Sequence, residues 1–546
     1  MLLQATSISR IAGIQSSKAA AGSAQYFPMA LLGSLIARSI KLRKRMARNT
    51  ATPEVYQRRE LRKLLERGQY TLFGKHYNFD GILEQELDFV KAFQQTVPVH
   101  DYDKMHDQWW RLALEGKENV SWPGKVKYFA LSSGTSGSAS KHIPVTSDMI
   151  RSIRRMGFRQ LYSLVDFNVP KETFTKGLLM LGGTTSLFEK DGYYEGDMSG
   201  ISAKNIPRWA SHLLYKPGQK ISKVPKWEDR IDQIVKLAPK WDVGTVCGVP
   251  AWVQIVLERI VEHHKVKTIH DIWPNLNIYI HGGVSFGPYR ESFKNLLGKP
   301  ITYIETYMAS EGSFGYQARP GEPGIKLVLN NGIFYEFVPF NSANFSEDGQ
   351  CVSFPETKLI HQVEAGVDYA VLLSTAAGAW RYLIGDVVRF TDAAEGEIVI
   401  VGRTRQFLSI CGEHTSIDNL TEAIARVNRA LGITVREFTV SGFNYENGFA
   451  HRWAIGTDAP GIEAAQVKAI LDETLREVND DYAVERTSAL KEVFVDIYPG
   501  EVFYEYMRSK GKEGAMNKFP RVLKGQQLQD WESWLQKSGT RPVAAV

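Results

Sequence analysis

Cysteine is scarce: there are three in 546 residues, Cys247, Cys351 and Cys411, far apart and without metal-ligand spacing. That excludes a disulfide framework and a structural zinc site, and it suits a reducing compartment. Long apolar runs are missing as well. The stretch 29–37 is only nine residues long, too short for a bilayer, and its basic flank follows it, opposite to a secretory signal. No membrane span and a cytoplasmic location are therefore expected. Excess charge of one sign is also lacking. The net charge is +6, from 66 Lys and Arg against 60 Asp and Glu, and part of it sits in the run 41–48. Nothing in that balance calls for nucleic acid, and the basic run reads as a solvated helix face. No G-x-S-x-G elbow occurs, so a hydrolase serine is not expected. His263, His264 and His270 fall in or just after a charged helix and face solvent rather than a metal. Residues 1–28 carry no acidic residue and are rich in Ala and Ser, as in a transit peptide or a start placed upstream of Met29.

What is present is a globular composition, 43% hydrophobic and 23% charged, long enough for several domains. The most informative stretch is 128–146, YFALSSGTSGSASKHIPVT. A short apolar strand runs into a loop of glycines and hydroxyls, then Lys141 and a second strand. Small residues let backbone amides turn inward and hydroxyls add donors, which suits phosphate oxygens. It is not an NTPase P-loop: the sixth residue after Gly134, counted inclusively, is Ala139, and a strand follows instead of a helix. Ser147 is expected to cap a helix with apolar positions from Ile150 to Leu164.

Downstream, buried strands end at Gly248, at His281-Gly-Gly and at Met308-Ala-Ser-Glu, with helices between them. That alternation predicts an α/β core with a largely parallel sheet, whose ligands sit beyond the carboxyl ends of the strands. From 325 to 402 the pattern is β-rich and antiparallel. After Arg403 the texture becomes α+β. The expected division is a large domain, 29–402, and a smaller mobile domain, 403–546.

Five stretches stand in order: the loop at 132–136, Tyr307-Met-Ala-Ser-Glu311, Trp380-Arg-Tyr-Leu-Ile-Gly-Asp386, Gly402-Arg403 and Lys518-Phe-Pro-Arg521. As an ordered set covering nearly the whole chain they resemble the adenylate-forming enzymes, and more closely the Gretchen Hagen 3 (auxin-responsive promoter) family of acyl-acid amido synthetases. The resemblance implies a two-step ligase using ATP and Mg²⁺. A carboxylic acid attacks the α-phosphate, pyrophosphate leaves, and an amine such as an amino acid then takes the acyl group. The substrate carboxylate is the nucleophile, so catalysis rests on positioning and charge neutralisation.

Carried over by position, the resemblance implies phosphate binding by Ser132, Ser133, Gly134, Thr135 and Ser136, with Lys141 neutralising pyrophosphate. Gly283, Val284 and Ser285 border the adenine. Tyr307 and Ser310 lie near adenine and α-phosphate, Glu311 holds Mg²⁺, and Asp386 accepts the ribose hydroxyls. Arg403 marks a hinge, and Lys518 is delivered to the acyl phosphate. Three departures stand out. The residues after Arg403 are Thr-Arg-Gln-Phe, without the acidic hinge common in coenzyme A ligases. Trp380 replaces a frequent Tyr, a change expected to touch the acyl pocket. Glu413-His414 replaces a frequent Glu-Lys pair. A thioester ligase and a non-catalytic nucleotide-binding homologue are the alternatives.

Overall fold

The computed structural model describes residues 33–35, 38–42, 51–85, 88–132, 141–283, 286–321, 324–346, 349–404, 417–446, 448–486, 490–512 and 519–546, with 408, 410, 413 and 415. Helix α1 (Pro53–Gly68) starts where Thr52 accepts the Val55 amide and proline occupies the first turn. Its Leu61, Leu64 and Leu65 enter the core. Its Gln57 reads backbone on a distant strand, donating to Leu329 O at 2.8 Å and accepting from Tyr335 N at 2.7 Å. Helix α2 (Phe89–Thr96) buries Phe89, Val90 and Phe93. Helix α3 (Ser147–Ser163) begins one residue earlier than expected. Thr146, not Ser147, is the cap, because its hydroxyl accepts from Met149 N at 3.1 Å and donates to Ala376 O at 2.5 Å.

The strands run, in chain order, β1 (Tyr128–Ser132), β2 (Lys141–Val145), β3 (Gly177–Met180), β4 (Phe188–Lys190), β5 (Tyr193–Gly196), β6 (Tyr215–Lys216), β7 (Val243–Cys247), β8 (Ile278–Gly282), β9 (Thr302–Ala309), β10 (Gly312–Tyr316), β11 (Ile325–Leu327), β12 (Ile333–Pro339), β13 (Asp368–Thr375), β14 (Tyr382–Asp392) and β15 (Glu397–Arg403). One sheet of eleven strands has the order β12-β13-β14-β15-β11-β10-β9-β8-β7-β3-β6. Its β9, β8, β7, β3 and β6 are parallel, and the rest are antiparallel. The antiparallel block expected after 325 thus continues the parallel one through β10. A four-stranded sheet, β2-β1-β5-β4, lies beside it.

The parallel strands are backed by helix α4 (Pro250–His264), whose Val253, Val256, Leu257 and Ile260 pack with Val246 and Tyr279. The antiparallel half curls until strands distant in the sheet order meet. Tyr335 on β12 donates to Phe314 O on β10 at 3.1 Å across that core.

After β15 the chain builds a third sheet with its own core. Helices α5 (Ile417–Leu431), α6 (Ala464–Val478) and α7 (Glu501–Ser509) accompany β16 (Glu437–Tyr445), β17 (Gly448–Gly456), β18 (Leu490–Tyr498) and β19 (Ala544–Ala545). Leu420, Val427, Trp453, Leu471 and Val495 fill its interior. Arg436 reaches from this unit to Glu258 on α4 at 3.3 Å, and Tyr504 packs on Trp252. No helix among the described residues is long and apolar enough to cross a membrane.

Candidate active site

The site is built where two hairpins face each other. β9 and β10 pair Ala309 with Gly312, leaving Ser310 and Glu311 as the turn. This turn is buried: Ser310 is 5% exposed and Glu311 8%. Opposite, β14 pairs Asp386 with Arg403 at the end of β15. Gly385 sits at φ +89°, a conformation that side chains avoid, and there Thr404 N donates to Gly385 O at 2.8 Å. Beyond this kink Asp386 reaches both Tyr307 on β9 and Arg403 on its neighbour β15.

Two contacts, Tyr307–Asp386 and Tyr382–Glu311, knit the hairpins together, and two from Arg403 hold β14 to β15. The Tyr307 hydroxyl donates to Asp386 Oδ2 at 2.6 Å. Arg403 Nε lies 3.2 Å from Asp386 Oδ1, and its Nη2 donates to Ile384 O at 2.8 Å. The Tyr382 hydroxyl donates to Glu311 Oε1 at 3.1 Å. Burial raises both phenols well above their usual value, and the carboxylate each one meets adds to it, so both remain donors. Burial also raises the Glu311 carboxyl, while its backbone hydrogen bond and the Arg403 guanidinium pull it back.

Of the residues expected in the site, Tyr307, Ser310, Glu311, Asp386 and Arg403 thus lie near one another. Tyr307 is 4% exposed and its ring packs on Phe314 at 4.7 Å, so what it offers the site is its hydroxyl. Ser132 closes β1 and pairs with Lys141, whose ammonium lies 5.1 Å over the Tyr102 ring. Gly283 follows β8 at φ +84°. The tight step before it is Gly282, where a Cβ would stand 2.4 Å from Thr306 O. Ser133, Gly134, Thr135, Ser136, Val284, Ser285, Lys518 and His414 lie outside the described residues.

Beside Lys518 the chain is fastened. Val440 N donates to Arg521 O and Leu523 N to Val440 O, both at 2.9 Å. Arg521 donates to Glu437 Oε2 at 2.5 Å, lies 4.4 Å over the Phe438 ring, and hydrogen-bonds Tyr289 of the larger unit. Arg521 thus lines a cavity of about 590 Å³ with Trp252, Tyr289, Arg436 and Tyr504, and none of the residues gathered around Asp386 lines it.

Two residues depart from the expectation drawn from their motif. Trp380 is fully buried, donates its indole N–H to Ser121 O at 2.9 Å, and packs on Phe79 at 4.7 Å. It closes over Gly68, where a Cβ would come within 2.7 Å of the indole, so it is a core residue and not a wall of an acyl pocket. Tyr382, two residues on, was not singled out, yet it touches Glu311. Its only signal was its place inside the motif that carries Asp386, because the irregularity of β14 between 383 and 387 breaks the simple alternation of faces.

Family models match most of the chain, though not 302–325, where β9, β10 and the Ser310–Glu311 turn lie. The GH3 family N-terminal domain matches 42–230 and 189–301, the central domain 326–403 and the C-terminal domain 418–527. The chain belongs to the GH3 family. Among GH3 relatives, indole-3-acetic acid-amido synthetase GH3.2 of Arabidopsis thaliana is 22% identical over 74% of this chain and 84% of its own length. The rice (Oryza sativa subsp. indica) indole-3-acetic acid-amido synthetase GH3.8 is 25% identical over 71% and 73%. Jasmonoyl-L-amino acid synthetase JAR6 of Nicotiana attenuata is 31% identical, over 28% and 26%. The solved GH3.15 acyl acid amido synthetase superposes with a TM-score of 0.72 at 16% identity, covering 93% of this chain and 97% of that one. A 2-hydroxyisobutyryl-CoA ligase in complex with 2-HIB-AMP reaches 0.57 at 14% identity, covering 88% and 91%. The fold is that of the GH3 and adenylate-forming ligases.

Proposed function

We propose that this protein is an ATP-dependent acyl-acid amido synthetase. It joins a carboxylic acid to AMP with loss of pyrophosphate and then passes the acyl group to an amine, an amino acid in the first instance. The observation that carries this reading is the meeting of Asp386, Tyr307 and Arg403 beside the buried Glu311, in a GH3 chain. That donor set suits a magnesium nucleotide. Among the described residues no group of three or more His, Cys, Asp or Glu is arranged to hold a metal alone. Mg²⁺ is content with one carboxylate plus phosphate oxygens, and Glu311 would provide that carboxylate. When bound, the ion draws charge from the phosphates as pyrophosphate leaves.

Ribose hydroxyls would bind the Asp386 carboxylate, whose two oxygens offer about four lone-pair sites, of which Tyr307 takes one on Oδ2 and Arg403 one on Oδ1. Tyr307 is buried, whereas the Arg403 side chain is 40% exposed. Arg403, the cation beside that carboxylate, is placed to meet the α-phosphate. Ser132 through Ser136 cradle the phosphates with Lys141 beside them, and Gly283, Val284 and Ser285 border the base. Lys518 arrives on the 403–546 unit, which turns about the segment after Arg403 between the two half-reactions. The acid needs no protein nucleophile: its own oxygen attacks phosphorus, and the amine later attacks the activated carbonyl. The protein works in the cytoplasm. Mass analysis of products, with a pool of amino acids and coenzyme A offered together, tests the second step. An amide and AMP are expected, and a coenzyme A thioester alone would overturn the amide assignment.

A further inference from the structure

We propose that Tyr382 is a positioning residue for adenylation: its hydroxyl aims the Glu311 carboxylate, and the buried Arg381–Glu336 fork holds Tyr382 in place. The inference rests on the reading of Glu311 as the magnesium carboxylate.

The Tyr382 backbone is clamped on both sides. His100 N donates to Arg381 O at 2.9 Å, and Leu383 N donates to His100 O at 2.8 Å, a parallel bridge centred on Tyr382. One residue earlier, Arg381 has φ +41°, in the left-handed region that side chains rarely occupy. Such a conformation persists only where the surroundings over-determine it, and here they do. Arg381 Nε and Nη2 fork onto Glu336 Oε2 and Oε1 at 3.1 and 3.0 Å. Its Nη1 donates to Gln94 O and Val97 O, each at 2.7 Å, and its backbone N donates to Ser374 Oγ at 3.0 Å. Both charged side chains are 1% exposed. Glu336 also accepts from Gln94 Nε2 and Thr357 Oγ1, each at 3.1 Å. The fork lies on the end of α2 and on β12, remote in sequence from the site, and the residue next to it on β14 is the one that touches Glu311.

A phenylalanine at 382 would fill the same volume beside Trp110, whose ring is 5.5 Å away. The hydroxyl adds one thing, a directed bond to Oε1 that leaves the other oxygen to be presented in a fixed direction. Groups that orient a metal carboxylate in this way typically alter metal affinity by about 10–100-fold when removed.

The test is a Mn²⁺ titration followed by electron paramagnetic resonance, on the full chain with a non-hydrolysable ATP analogue. For Tyr382→Phe the expected result is Mn²⁺ affinity about 10–100-fold weaker, with metal-free analogue binding unchanged. Mn²⁺ affinity equal to wild type in Tyr382→Phe, while Glu311→Gln loses it, overturns the positioning role and leaves Glu311 standing. If Glu311→Gln itself keeps wild-type affinity, the reading of Glu311 falls and the proposal with it. Should Tyr382→Phe fail to fold, Glu336→Gln carries the test, because it keeps its shape, does not touch Tyr382, and weakens the fork by removing the charge that pairs Arg381. Weaker Mn²⁺ binding in it supports the proposal, and wild-type binding overturns it.

Discussion

Replacing Glu336 by alanine removes one half of a charge pair from a place water does not reach. Both side chains are 1% exposed, and the guanidinium keeps its bonds to Gln94 O and Val97 O but loses two acceptors at 3.0 and 3.1 Å. Stripping one partner from a buried pair typically costs about 3–5 kcal/mol, because the remaining charge stays desolvated and unpaired. Gln94 and Thr357 lose an acceptor too. Replacing both members by methionine removes the stranded charge, yet leaves the carbonyls of Gln94 and Val97 without a donor, at about 1–3 kcal/mol for an unmet buried group. The double variant is therefore expected to be more stable than Glu336→Ala and less stable than wild type. Urea unfolding followed by tryptophan fluorescence reports on this core, where Trp380 and Trp110 lie. A loss below about 1 kcal/mol for Glu336→Ala would refute the reasoning, since that is the scale of a solvent-exposed pair.

Three other outcomes are expected. Asp386→Ala should lower acid-dependent pyrophosphate exchange by at least about 100-fold, the loss of two charge-assisted hydrogen bonds of about 1.5–3 kcal/mol each; an unchanged rate would remove Asp386 from the site. Lys518→Ala should slow adenylation by about 10²–10³-fold and leave transfer from a supplied acyl-adenylate near wild type, which rapid-quench assays of each half-reaction can separate. In the unit built around β16–β19, burial pushes the Asp472 carboxyl up, but hydrogen bonds from Arg486 and Tyr482 outweigh it and hold it at about 2. A carboxyl depressed from 3.8 stabilises the fold above that value and stops doing so as the pH falls toward about 2. Asp472→Asn should accordingly cost roughly 2 kcal/mol at neutral pH, at 1.36 kcal/mol per pKa unit, and melting curves of variant and wild type should converge near pH 2.

Local chemistry made much of the fold legible. The strands at 243–247, 278–282 and 302–309 are apolar and separated by amphipathic segments, and they pair in parallel as that alternation implies. The antiparallel strands after 325 were legible as strands, but nothing local says that β11 joins β10 and so fuses both blocks into one sheet. The site was legible as a set of motifs and not as a set of contacts. Tyr307 and Asp386 are 79 residues apart, and their meeting depends on the curl of the sheet and the Gly385 kink. Trp380 illustrates the opposite error: its place in a motif that resembles the family's suggested the acyl pocket, while its size and the Gly68 gap opposite commit it to the core. The pairing of Arg381 with Glu336 carries no signal in one dimension, since it spans 45 residues, from β12 to the residue before β14.

Acid-dependent exchange of labelled pyrophosphate into ATP, over a broad panel of aryl, indole and alkyl acids, tests the central claim most directly. Exchange that requires both an acid and Mg²⁺, with AMP as the nucleotide product, is the result expected of an acyl-adenylate intermediate. ATP cleaved only to ADP and phosphate, or no exchange with any acid in the panel, would contradict it.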